Sequence, residues 1–215
     1  MKNDLTELVF ILDKSGSMSG LESDTIGGFN SMLAKQKDEE GEAIVTTVLF
    51  DNEYQLLHDR IDLKAVAPIT GRDYFVGGNT ALLDAIGRTI NKIGQAHKHT
   101  QEDHRPAKTL LVIITDGHEN ASCEFSFAKI QAMVEHQKKT YEWEFIFLGA
   151  NIDAMAAAAR FGIDKSRAAN YHADSQGIRN HFRSINNTAA YFRKARHIKE
   201  DWKADIDNDF NQRSK

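Results

Sequence analysis

"FILDKSGSMSG", residues 10–20, is an apolar run that ends on a carboxylate and passes into a cluster of hydroxyls. Asp13 closes the run, and Ser15, Ser17 and Ser19 follow at alternate positions, with Gly16 and Gly20 among them. Such an ending fits a simple turn, a catalytic nucleophile or a cation site. The donors are hard oxygens with no histidine or cysteine beside Asp13, so a bound ion would be Mg²⁺, Mn²⁺ or Ca²⁺ rather than zinc or copper. In a tightly curved loop alternate residues point inward, and Gly16 permits that curvature.

Outward from this stretch, strand and helix alternate. Residues 5–13 read as a strand, and 21–36 as a helix with Ile26, Phe29 and Leu33 on one face. Residues 42–51 (EAIVTTVLFD) are a β-branched strand. After a turn at Asp51-Asn52, residues 54–61 return as an antiparallel edge strand. An irregular stretch holds Pro68 and the loop "YFVGGNT". Thr80 opens a long helix with a stripe of Leu82, Ile86, Thr89, Ile90 and Ile93. Residues 97–107 are a polar loop, and 109–116 (TLLVIITD) the most continuous apolar run, hence a central strand. A helix over 125–139, a strand over 143–150, a short helix over 153–161 capped by Asp153, a strand over 168–172 and a helix over 175–196 follow. The alternation predicts an α/β fold: a Rossmann-like, doubly wound, mostly parallel sheet with one antiparallel edge strand and helices on both faces. Residues 1–196 form the domain in this reading, and 197–215 a polar C-terminal tail.

In such a sheet, sites form outside the carboxyl ends of the strands. Asp13 and Asp116 each end a strand, and Thr80 sits in a glycine-rich loop entering a helix, so all three reach the same rim. The ordered set "DKSGSMS", "GGNT" and "ITDG" resembles the von Willebrand factor A domain family and its metal-ion-dependent adhesion site. The matching residues are Asp13, Ser15, Ser17, Thr80 and Asp116, and no ligand of the motif is missing. The resemblance spans roughly residues 5–196 and is similar to the compact intracellular prokaryotic or phage members. It implies a Rossmann-like fold, a divalent metal, usually Mg²⁺, and a partner protein whose Glu or Asp carboxylate completes the metal's shell. The partner itself stays unidentified.

Two other functions compete. A strand-ending aspartate near Mg²⁺ is also how aspartate-based phosphotransferases and hydrolases begin, with Asp13 as nucleophile. Their second carboxylate, two residues on, is here Ser15, leaving His118 and Glu119 as candidate bases. The last helix carries Arg179, Arg183, Arg193, Lys194, Arg196 and Lys199 with no acidic residue between 175 and 199, a stretch that could meet phosphate or nucleic acid. The five acidic residues within 200–209 screen it, and the formal net charge of −4 over 215 residues argues against nucleic acid. No P-loop motif occurs. "DIDNDF" at 205–210 begins like a calcium loop, but Phe210 occupies the glycine position. His97, His99 and His104 read as surface histidines.

Composition suits a soluble core, with 41% hydrophobic and 27% charged residues. A single cysteine, Cys123, excludes an internal disulfide and fits a reducing compartment. Asp4 and Glu7 interrupt any export signal, and no apolar run reaches the roughly 20 residues that span a bilayer. The expectation is a cytoplasmic protein, off the membrane.

Overall fold

The aliphatic runs of the chain become the strands of one twisted sheet. The computed structural model describes residues 2–214, in the order β1 (Lys2–Asp13), α1 (Glu22–Lys37), β2 (Glu42–Phe50), β3 (Tyr54–Asp62), α2 (Leu82–His99), β4 (Pro106–Thr115), α3 (Phe127–Tyr141), β5 (Glu144–Gly149), α4 (Ala154–Arg160), β6 (Ala168–Asn170), α5 (Ser175–Ala195) and α6 (Ala204–Arg213). The six strands lie in the order β3-β2-β1-β4-β5-β6. Only β3 runs antiparallel, at the edge against β2, and every other pairing is parallel. This is the expected Rossmann-like α/β class.

The pleat divides the core into two layers. Leu8, Phe10 and Leu12 of β1 face one side, with Leu110, Val112 and Ile114 of β4, under α1, α5 and α6. Val9 and Ile11 face the other, with Leu111 and Ile113, under α2, α3 and α4. Strands covered on both faces need continuous apolar sequence, as in TLLVIIT. The crossover from β1 to β2 and that from β3 to β4 thus lie on opposite faces. Strand order reverses between β1 and β4, which sit in register at Leu12 against Ile114. The two strands therefore deliver Asp13 and Asp116 side by side at the carboxyl rim.

Three expectations change. Residues 197–214 are not a polar tail apart from the domain, and residue 215 of the expected tail lies outside the described residues. Ile198, Trp202 and Ile206 are buried in the core, Trp202 donates its indole N–H to the Ser166 carbonyl at 2.7 Å, and α6 packs on α5 and β6. Four-residue spacing, continued by Phe210 stacked on His172, gives a single apolar stripe to a segment that is otherwise charged. His97 is not a surface histidine either: α2 continues through it, and its Nε2 meets Glu7 Oε2 at 2.6 Å. Glu7 is wholly buried within the sheet and also takes Arg60, so the buried carboxylate is held by the Arg60 guanidinium and a ring nitrogen of His97. Finally, α2 starts at Leu82 rather than at Thr80.

Among the described residues no helix is long and apolar enough to cross a membrane.

Candidate metal centre

Three loops meet at the carboxyl ends of β1 and β4. The first turns directly after Asp13 through a one-turn 3-10 helix, Gly16–Met18. The second, residues 74–80, is laced onto it: the Gly16 amide donates to the Gly78 carbonyl at 3.1 Å, and the Gly77 amide to the Lys14 carbonyl at 2.9 Å. Gly78 adopts φ +70°, a conformation that glycine reaches without strain. Tyr74 lies beneath and donates its hydroxyl to the Asp13 carbonyl at 2.5 Å. The third loop follows Asp116. Its Asn120 Oδ1 accepts from the Thr80 amide at 2.9 Å, and its own amide returns to the Thr80 carbonyl at 3.1 Å.

Asp13, Ser15, Ser17, Thr80 and Asp116 are brought together by these loops. Asp13, Ser15, Thr80 and Asp116 are each at most 3% exposed, while Ser17 is open to solvent. Asp13 Oδ1 accepts the Ser15 amide at 2.7 Å, and its Oδ2 accepts the Thr115 hydroxyl at 2.5 Å. Ser15 and Ser17 hydroxyls lie 3.1 Å apart, and Ser17 donates to Asp116 Oδ1 at 2.5 Å. Thr80 joins through space beside Gly117. A Cβ built on that glycine would stand 3.2 Å from the Ser17 hydroxyl and 3.3 Å from that of Thr80.

The electrostatics are unbalanced in a way that a cation corrects. Asp116 Oδ2 is buried with no hydrogen-bond partner. Burial pushes the Asp116 carboxyl up to about 6, with Ser17 opposing the rise and Asp13 adding to it. Burial also raises Asp13, against hydrogen bonds from Ser15 and Thr115. Two desolvated carboxylates with one orphaned oxygen are costly without positive charge nearby. Lys14, the neighbouring cation, is turned away onto Asp51 at 2.8 Å. The residues therefore fit a divalent ion: two anionic oxygens, three neutral hydroxyls and no soft donor. Among the described residues no group of three or more His, Cys, Asp or Glu side chains converges, so the hydroxyls are essential to any such set.

Several supporting residues carried no signal in the sequence. Thr115 orients Asp13, and Asn120 holds Thr80. The N-terminus of α2 has no side-chain cap of its own. Glu119 Oε2 accepts from the Leu83 amide, and the Ser122 hydroxyl accepts from that of Asp84. Asp84 in turn accepts the amides of Cys123, Glu124 and Phe125. With its first turn satisfied from the third loop, α2 does not need the Thr80 hydroxyl as a cap. A polar residue shortly after a site aspartate is too common for this to be readable beforehand.

The proposed bases fare differently. Glu119 spends both oxygens on Leu83, Ala121 and Ser122, so it is a brace rather than a free base. His118 is exposed. The basic stretch of α5 is also largely engaged. Arg193 is 5% exposed and donates to the carbonyls of Gln36, Glu39, Glu40 and Gly41, closing the end of α1, while Lys194 pairs with Glu39 and Arg183 with Asp205.

No family model matches the sequence, and no curated protein matches it. Solved structures do share its fold. A von Willebrand factor type A protein from Catenulispora acidiphila superposes with a TM-score of 0.60 at 13% identity, over 87% of this chain and 43% of that one. The manganese-loaded TRAP protein of Plasmodium vivax gives 0.59 at 16%, over 85% and 74%. A mussel byssus matrix protein with a zinc-occupied adhesion motif gives 0.55 at 11%, over 86% and 46%. The chain thus spans under half the length of two of these three structures. At such identities the likeness is one of fold: the chain has the von Willebrand factor A fold.

Proposed function

We propose that this domain is a metal-dependent protein-binding module, in which Asp13, Ser15, Ser17, Thr80 and Asp116 hold one divalent cation and an acidic side chain of a partner completes its shell. The observation that carries the reading is the orphaned, buried Oδ2 of Asp116 inside a set of two carboxylates and three hydroxyls. Mg²⁺ is the proposed ion, because the donors are all hard oxygens, with Mn²⁺ or Ca²⁺ able to substitute. When bound, the ion supplies a Lewis-acidic position for a Glu or Asp carboxylate. Neutral hydroxyls in place of further carboxylates leave it charge-deficient and so receptive to an anion. Ion-bearing relatives in fold, one with manganese and one with zinc, support a divalent site.

Binding is favoured over catalysis because Glu119 spends both oxygens bracing its own loop and α2, and both oxygens of Asp13 are already held. The surface beside the rim also suits a protein partner. Phe75 projects there at 58% exposure, its ring over Lys14 Nζ at 4.7 Å. Aromatic side chains are enriched at the centres of protein interfaces. A cytoplasmic setting, as in the intracellular prokaryotic or phage members of the family, belongs to the same proposal, and the single exposed Cys123 supports it.

The test is a pair of calorimetric titrations, Mg²⁺ or Mn²⁺ into protein, then a glutamate-bearing peptide into metal-loaded protein. Asp13→Ala is expected to lower metal affinity far more than Ser19→Ala. Thr80→Ala should leave metal binding within about 1 kcal/mol of wild type, since a neutral hydroxyl contributes little, and weaken the peptide by clearly more. Equal metal affinity in Asp13→Ala and wild type would overturn the site. The natural partner would be the protein recovered with Mg²⁺ and lost with EDTA.

A further inference from the structure

Phe75 stands on the loop that carries Thr80 to the rim, and the chain on either side sets its outward direction. Tyr74 is buried and Val76 packs against the same core layer, so the residue between them is turned to solvent. With Tyr141 it is one of the two large hydrophobic side chains so exposed among the described residues. The loop is fixed on both sides of it. Before Phe75, the Asp73 carboxylate accepts the Thr70 amide at 2.8 Å and the Thr70 hydroxyl at 2.7 Å. After it, the Gly77 amide and the Gly78 carbonyl are bonded to the first rim loop. A ring on a fixed loop loses little freedom when a partner covers it.

What surrounds the ring limits what can cover it. One face lies over Lys14 Nζ, and that buried ammonium is already paired with Asp51 at 2.8 Å. The charge beneath the ring is therefore neutralised and offers nothing to a second carboxylate. A basic side chain on the open face would share the ring with an ammonium already there. The other exposed positions of the two rim loops are small, among them Gly16, Ser17, Gly78 and Asn79. A partner that reaches the ion across these loops meets a low polar floor with one bulky apolar side chain, Phe75.

We propose that Phe75 selects the partner: it takes a bulky apolar side chain, aromatic or large aliphatic, that neighbours the metal-binding Glu or Asp in the partner's sequence. This rests on the metal-bridged reading above and adds to it a second contact that uses no metal. Phe75 touches Lys14, the residue next to the ligand Asp13, and precedes the ligand Thr80 by five positions. Both contacts thus fall within about two to four residues of one extended segment, at roughly 3.3 Å per residue. The chemistry of the partner is then an acid with an apolar neighbour, rather than an acidic cluster or a basic segment.

The experiment selects peptides from a displayed library of random twelve-residue sequences on the Mg²⁺-loaded full chain and elutes them with EDTA. The eluted sequences are expected to share a Glu or Asp with an aromatic or large aliphatic residue about two to four positions away. Calorimetry then compares the strongest synthetic peptide with its copy in which that apolar residue is glycine. Wild type should bind the glycine copy about tenfold more weakly, and Phe75→Ala should bind both peptides equally, at the weaker level. Phe75→Leu, which keeps an apolar surface, should retain most of the preference. Mg²⁺ titrated alone should bind Phe75→Ala as it binds wild type, since Phe75 gives the ion no oxygen. Eluted sequences that share an acid but no apolar neighbour would overturn the proposal and leave the metal-bridged reading standing. So would a preference for the apolar residue that survives in Phe75→Ala. If EDTA elutes nothing, the proposal fails, and the titration of Mg²⁺ alone tells whether the metal site fails with it.

Discussion

Gly117 bears on the metal rim through what it lacks. Any side chain there enters the space between the Ser17 and Thr80 hydroxyls, with a Cβ only 3.2 and 3.3 Å from them. Gly117→Ala should therefore lower metal affinity, by about tenfold or more, while far-UV circular dichroism and the urea midpoint stay near wild type, because the loop is at the rim and outside either core layer. Unchanged metal titration in that variant would mean the two hydroxyls do not face a common ion. Asp116 sets the pH dependence. Its carboxyl titrates at about 6, so below that pH a proton occupies the group that must be anionic to hold the ion. Metal affinity should fall by up to about tenfold per pH unit below pH 6 and level off above it. Calorimetry at pH 5 and pH 7 decides this: equal affinities would show that the Asp116 carboxyl is not raised into this range.

The last two helices show what a local pattern can and cannot reveal. Helix α5 announces itself by apolar spacing, and its close seat on α1 has Phe182 against Gly28, where a side chain would collide with the ring. The sequence cannot show that His181, in the same helix, ends up wholly buried between Tyr171 and Phe182, with neither ring nitrogen hydrogen-bonded. Burial lowers its pKa from 6.5 to about 3. In that window the unfolded chain binds a proton that the folded one refuses, so stability declines as pH falls from 6.5 towards 3. Relative to His181→Leu, wild type should lose roughly 2–3 kcal/mol between pH 6 and pH 4, read from urea unfolding at each pH. A constant difference would show that the imidazole is solvated. Helix α6 was missed for the opposite reason. The stripe that leads into it and continues along it, Ile198, Trp202, Ile206 and Phe210, is regular, but one apolar residue in four among charges reads as solvent-exposed until α5 and β6 are seen to receive it. The strands and the five rim residues were legible because hydrophobic runs and a five-part motif are strong local signals. The braces Thr115, Asn120 and Glu119 were not, since their roles exist only once three loops meet.

The two core layers bear on what removing the ion can do to the molecule. Both lie along the sheet, from Leu8 to Leu12 and from Leu110 to Ile114, and neither includes a rim ligand. The rim loops are in turn fixed by backbone and side-chain bonds that need no ion: Gly16 to Gly78, Gly77 to Lys14, Tyr74 to Asp13 and Asn120 to Thr80. The fold should accordingly persist without metal, unlike small domains that fold only around one. What the ion adds is linkage: it binds the folded chain and relieves the repulsion between Asp13 and Asp116, a stabilisation of about 2.7 kcal/mol at a hundredfold excess over Kd. For a chain of this length that corresponds to roughly 5–10 °C in Tm. EDTA should thus leave the far-UV circular dichroism spectrum essentially unchanged and lower Tm by that amount, with the loss growing as the logarithm of the Mg²⁺ concentration removed. In Asp116→Asn the same chelation should move Tm by under about 1 °C, because the linked site is gone. Collapse of the helical and sheet signal on chelation would instead make the ion a structural element, and would require a path from the rim into the core that none of these bonds provides.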